Sequence, residues 1–288
     1  MEEHYKTFVS MQKNLDVLLK KKELYSNETL FYNFIKDFKT LIYDNIYGIL
    51  EPNRELDDNE KYIRLYVQFV IKKLLPICNI KIKQFMESKS ENLHNWIELE
   101  DDLYAIAACR SIKHFAYYIE RGVPKKIWRD TMCIFESFYH YASKMVLNSS
   151  VDLIRASYFP GAGKTYAGNI LCAFWIGIEA ISILRITYSD DMAKKFTKQI
   201  ANIIESDKYK KVFPKFNLEP KKLYKTKNAS ELWFSFYNES SFQATTRDGQ
   251  STGKRAKVII IDDITKGAKE AYKVEVHKQI IDMYDSDW

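Results

Sequence analysis

The sequence predicts an α/β fold with a mainly parallel central sheet, preceded by a helical N-terminal region. Three observations lead there. Glycine is scarce in the first half: Gly48 and Gly122 alone precede Gly161, and the other seven lie between 161 and 267. Tight backbone turns are therefore concentrated in the second half. From about residue 150, short apolar runs alternate with segments of helical periodicity, the pattern of strands joined by crossover helices. One run, Val258 to Ile261, is continuously β-branched, as in a strand covered on both faces.

Residues 1–100 are expected to form a helical accessory region, and 101–288 the α/β domain. The first part carries apolar residues at helical spacing, such as Tyr62, Leu65, Phe69, Ile71 and Leu74. Pro52, Pro76 and the stretch Ser88 to Asn95 are the expected breaks between helices. In the second part, Val151 to Ser157 reads as a strand, Lys164 to Ile176 as a helix and Ile181 to Tyr188 as a strand. A helix follows from Asp190 to Glu205, with an acid near its N-terminus where the helix dipole favours one. Glu231 to Tyr237 and Ser241 to Thr245 read as a hairpin across Asn238, Glu239 and Ser240.

Composition excludes several classes. The four cysteines, Cys78, Cys109, Cys133 and Cys172, are scattered through apolar stretches with no CxxC pair, so they read as buried thiols of a reducing compartment. The N-terminus lacks the basic start and apolar core of a secretory signal. The longest apolar stretch, Ile170 to Leu184, is interrupted by Glu179 and falls short of the roughly 20 residues of a membrane span; it reads as a buried helix running into a buried strand. The net charge of +6 is mild, but eight lysines crowd 208–227 against one acid, Glu219. Such a run is either a solvated loop or a phosphate-backbone contact surface.

The chemistry lies in two segments. Tyr158 and Phe159 lead into Pro160, Gly161, Ala162, Gly163, Lys164 and Thr165, between an expected strand and an expected helix. Backbone N–H groups of such a loop, with the helix N-terminus, surround phosphate oxygens. Gly161 and Gly163 allow close approach, Lys164 is suited to the β- and γ-phosphates of ATP, and the Thr165 hydroxyl to Mg²⁺. Tyr158 stands where the standard loop has its first glycine. The second segment is Val258 to Ile261 followed by Asp262 and Asp263, where a carboxylate at a buried strand end needs a cation or donor. Asp262 is suited to hold Mg²⁺ and Asp263 to orient the attacking water, so the predicted class is an ASCE-type P-loop NTPase. Arg255 and Arg247 are the two candidates for the arginine that stabilises the transition state, and a surface salt bridge accounts equally for either. Arg155, in the first expected strand, is a candidate for contact with phosphate or a strand-end carboxylate.

These segments together resemble the ATPase portion of the tailed-phage terminase large subunit, the DNA-packaging motor. The loop Phe159 to Thr165 is similar to that family's Pro-Pro-Gly-x-Gly-Lys-Ser loop, which also lacks the first glycine. Ile186 to Ala193 is similar to its Ser-Tyr-Ser-x-Asp-Leu-Ala segment, continued by Ile204 to Asp207 and Phe213-Pro214. Gln250 to Ala256, running into Asp262-Asp263, is similar to its Thr-Gly-Arg-Arg-Ala run before the Asp pair. Ser111 to Trp128 resembles the lead-in helix, which makes Trp128 and Arg129 candidates for an adenine pocket.

The resemblance covers about Ala105 to Trp288. It implies hydrolysis of ATP with Mg²⁺ to move double-stranded DNA into a procapsid, a homo-oligomeric ring, and a portal protein and small terminase subunit as partners. It also implies action in the cytoplasm of an infected bacterial host, with no membrane involved. In the family a coupling strand and an RNase H-like nuclease follow. The chain is therefore expected to be the ATPase portion with its C-terminal end truncated, and Asp282, Asp285 and Asp287 are not read as a nuclease site. The alternatives are a helicase-like nucleic-acid ATPase, and a remnant or assembly subunit that binds nucleotide but hydrolyses it weakly.

Overall fold

The structure is a computed structural model and describes residues 2–20, 28–47, 57–88, 91–121, 135–142, 153–158, 161–247, 249, 256–265, 273–275 and 278. The chain divides into two compact units, Met1–Tyr118 and Ile119–Trp288. The boundary expected near 100 falls within a helix of the first unit, α5 (Leu93–Ala108). No helix among the described residues is long and apolar enough to cross a membrane.

The first unit is helical. Before α5 come α1 (Glu2–Lys20), α2 (Glu28–Tyr47), α3 (Asp57–Phe69) and α4 (Leu75–Ser88), and α6 (Ile112–Glu120) follows it, its last two residues, Ile119 and Glu120, belonging to the second unit. Aromatic rings build the core: Phe8 packs against Phe38, Tyr66 and Phe69 with centroids 4.6–5.5 Å apart, and Trp96 meets Phe31, Tyr32 and Phe85. The buried stripe of α3 runs through Ile63, Tyr66 and Val67, whereas Leu65, read as core by spacing, is 39% exposed. Pro76 does not break the chain as expected. It sits in the first turn of α4, and the turn before it, Val70–Leu74, widens to π-helical geometry with the Leu75 N–H donating to the Val70 carbonyl. A helix that must absorb a residue without an N–H commonly finds its slack in such a bulge. The break at Ser88 to Asn95 is present, between α4 and α5. Pro52 lies outside the described residues.

The second unit is α/β. Helical residues 135–142 form α7, followed by α8 (Lys164–Ile178), β1 (Ile183–Thr187), α9 (Asp190–Ile204) and α10 (Asp207–Val212). After a 3-10 turn at Pro214–Phe216 come α11 (Pro220–Leu223), β2 (Tyr224–Lys227), β3 (Glu231–Phe234), β4 (Phe242–Thr246) and β5 (Val258–Ile261). The strand order is β2-β3-β4-β1-β5. β1 runs parallel to β4 and β5, while β3 is antiparallel to β2 and β4, so the sheet is mixed rather than mainly parallel. The expected apolar helix and strand are both present: α8 is buried from Ala167 to Ile178, and β1 is buried throughout.

Two strand expectations are corrected. Residues 153–158 are not in a strand, and Leu153 is 57% exposed. Strand formation depends on a partner's ladder, which local composition does not supply. β5 is not covered on both faces: Val258 is buried and Ile260 half-buried, whereas the alternate Ile259 and Ile261 are 37% and 41% exposed, and among the described residues β1 is its one ladder neighbour. Cys78, Cys109 and Cys172 are buried free thiols, and burial pushes the Cys172 thiol up to about 12. Cys133 lies outside the described residues.

Candidate active site

The loop turns into α8 through two glycines with left-handed backbone, Gly161 at φ 83° and Gly163 at φ 87°. Residues with a Cβ rarely adopt that conformation, which is why glycine stands at both. Gly163 is the N-cap, and the Ala167 N–H donates to its carbonyl at 2.9 Å. The N-cap Gly163 has no side chain with which to cap α8, whereas Ser189 caps α9 and Ser206 caps α10. The uncapped end leaves helical N–H groups and the positive end of the helix dipole for an anion. Asp190 and Asp191 occupy the first turn of α9, as the dipole favours.

Tyr158 acts as a packing anchor. Its ring lies 4.7 Å from that of Phe135 on α7, and from the same helix the Tyr139 hydroxyl donates to the Ala167 carbonyl of α8 at 3.4 Å. Burial, then the charge and hydrogen bond of Glu120, push the Tyr166 phenol well above its ordinary range. The aromatic residue in place of a first glycine thus ties the loop to α7.

The strand-end acids meet the loop. Lys164 Nζ lies 3.6 Å from Asp263 Oδ1, with both side chains more than two-fifths exposed. The Thr165 hydroxyl donates to Asp262 Oδ2 at 3.4 Å. The β1–β5 ladder holds the acids in place: Asp262 N–H donates to the Ile186 carbonyl at 3.0 Å, and Tyr188 N–H to that of Asp263 at 3.1 Å. Asp263 has φ 49°, a left-handed conformation that Asp tolerates better than most residues.

Arg185, which the sequence reading passed over, is the most buried member of the cluster. It lies in β1 at 1% exposure and pairs with Asp262, which is 15% exposed. The signal was available, since a charged residue inside Ile-Leu-Arg-Ile-Thr must find a partner to be tolerated.

The remaining candidates divide. The Arg247 guanidinium donates to the Ile264 carbonyl at 3.3 Å and so braces the segment just past the acids. Arg155 is exposed on the segment before the loop. Ala162 is buried. Pro160, Trp128, Arg129 and Arg255 lie outside the described residues, as do the three C-terminal aspartates.

The lysine run is ordered structure, spanning α10, the 3-10 turn, α11 and β2. Lys208 donates to the Ile119 and Arg121 carbonyls, Lys215 to the Tyr237 hydroxyl at 2.7 Å and Lys225 to the Tyr237 carbonyl at 3.1 Å, while Lys227 pairs with Glu205. Lys221 and Lys222 on α11 are exposed.

No family model, curated protein or solved structure matches this chain.

Proposed function

We propose that this chain is a Mg²⁺-dependent ATPase of the P-loop type that drives double-stranded DNA into a viral procapsid. The observation that carries the ATPase reading is the meeting of Lys164 with Asp263 and of Thr165 with Asp262, the latter pair 97 positions apart in sequence. The packaging reading rests on the motif resemblance, with the ring, portal and small subunit as its implied partners.

The Thr165 hydroxyl and the Asp262 carboxylate are hard oxygen donors of the kind Mg²⁺ takes, and one or two carboxylates suffice when phosphates complete the shell. A Mg²⁺ held by Thr165 and Asp262 would supply charge neutralisation to the phosphates of ATP. The loop N–H groups and the α8 N-terminus hold the phosphates. Lys164 leaves a half-exposed ion pair to reach them, at a cost below about 1 kcal/mol. Asp263 then accepts a proton from, and orients, the attacking water.

A specific observation supports the weakly hydrolysing reading as second choice. Asp263 is engaged with Lys164, on a left-handed backbone, and is one methylene shorter than the glutamate of many related ATPases.

The test is hydrolysis by the full chain with and without duplex DNA. The proposal expects DNA to stimulate turnover without strand separation. Replacing Lys221 and Lys222 by Ser should reduce the slope of log affinity against log salt by about 2, at about 0.9 per lost phosphate contact. An unchanged slope removes α11 from the DNA surface. ATP-dependent unwinding points instead to a helicase-like enzyme.

A further inference from the structure

We propose that Arg185 is a positioning residue for the metal carboxylate: buried beneath the loop, its guanidinium fixes Asp262 in the orientation that brings it to the Thr165 hydroxyl. The proposal rests on the reading of Thr165 and Asp262 as Mg²⁺ ligands.

Arg185 gathers several elements. Its Nη2 donates to the Asp262 carboxylate beyond β5 and, at 3.5 Å, to the Thr165 carbonyl in the first turn of α8. Its Nη1 donates to Asn169 Oδ1, also on α8, and Asn169 Nδ2 donates onward to Gln199 Oε1 of α9 at 2.6 Å. The guanidinium carbon lies 3.7 Å from the Phe196 ring centroid, so α9 also covers its face. Gly168 makes room, since a Cβ there would meet Nη2 at 3.3 Å.

Stability does not account for this arrangement. A buried ion pair is often no better for stability than apolar residues of the same volume. Among the described residues Arg185 Nε is moreover buried without a hydrogen-bond partner, which has its own cost. What the arginine supplies is geometry. A planar fork directs donors to Asp262 and Asn169 at once, and the stacked face removes its freedom to rotate. A lysine keeps the charge but offers a point donor, which reaches one partner at a time.

The test measures binding of a fluorescent ATP analogue to the full chain, with Mg²⁺ and with EDTA, for wild type, Arg185→Lys and Asn169→Ala, each checked for folding by circular dichroism. In wild type, Mg²⁺ tightens binding. In Arg185→Lys the EDTA affinity should stay within about threefold of wild type while the Mg²⁺ enhancement falls at least tenfold. Asn169→Ala, which removes one anchor of the fork, should lose the enhancement by about threefold to tenfold. A general packing defect would instead lower both affinities together, and that result overturns the proposal. So does a folded Arg185→Lys with the wild-type enhancement; if Arg185→Lys does not fold, an unchanged enhancement in Asn169→Ala overturns it. If wild type binds nucleotide without any Mg²⁺ enhancement, it is the metal-ligand reading that fails, and the Arg185 proposal falls with it.

Discussion

Lys164 Nζ and Asp263 Oδ1 stand 3.6 Å apart, joining the loop lysine to the second strand-end acid. Both side chains are well exposed, so the pair contributes less than about 1 kcal/mol to stability. Asp263→Asn retains a residue that tolerates the left-handed backbone while removing the charge. Its melting temperature should stay within about 2 °C of wild type, whereas phosphate release from ATP should fall about 100-fold. A normal rate in this variant would place the water-orienting role elsewhere.

The C-terminal end of α8 is packed so closely that one methyl group is felt. A Cβ on Gly177 would lie 2.2 Å from Phe213 Cε2, and Phe213 is 3% exposed. Gly177→Ala should cost roughly 1–3 kcal/mol through overpacking. At roughly 2–4 °C per kcal/mol for a domain of this size, the melting temperature drops by several degrees. Adding Phe213→Leu should recover part of the loss, and nucleotide affinity should not change in either variant. A melt unaffected by Gly177→Ala would contradict this packing.

His114, in the helical unit, gives an acid-side stability slope. Burial, then the neighbouring Lys113 charge, hold its pKa down at about 4, below the ordinary 6.5, and Ser111 Oγ lies 2.7 Å from its Nδ1. The unfolded chain therefore binds the proton more readily than the folded one. The stability associated with neutral His114 is complete above 6.5 and is lost as pH falls from 6.5 towards 4. The loss amounts to roughly 2–3 kcal/mol. Denaturant melts between pH 7 and 4.5 should show this decline, and His114→Gln should flatten it. An equal slope in the variant would assign the decline to other groups.

What was legible in the sequence was whatever local chemistry specifies. The loop glycines announce left-handed turns, an apolar run of the length of Ile170 to Leu184 is recognisably a buried helix feeding a strand, and Asp190 marks the start of α9. Asp262 and Asp263 could be paired with the loop because a carboxylate at an apolar strand end needs a cation. What depends on distant partners was not legible. Residues 153–158 have strand composition but no ladder, and β5 has the composition of a covered strand but an open face. β2 was hidden among the lysines, although Tyr224 and Thr226 alternate with Lys225 and Lys227 and are the more buried pair. Charge content suggested solvent there, yet Lys215 and Lys225 bind Tyr237, whose hydroxyl donates to the Ile176 carbonyl of α8. The role of Arg185 emerges only when β1, α8 and β5 are brought together.

The most direct test of the central claim is steady-state phosphate release from ATP by the full chain and by Lys164→Ala, at saturating Mg²⁺. On the proposed reading Lys164, which stands 3.6 Å from Asp263 Oδ1, is the loop charge that meets the β- and γ-phosphates, so its removal should withdraw a principal electrostatic stabilisation of the transferring group. The account predicts Mg²⁺-dependent turnover in wild type and a loss of about 100-fold or more in Lys164→Ala, with no drop in melting temperature beyond about 2 °C. Equal rates in the two proteins would contradict it.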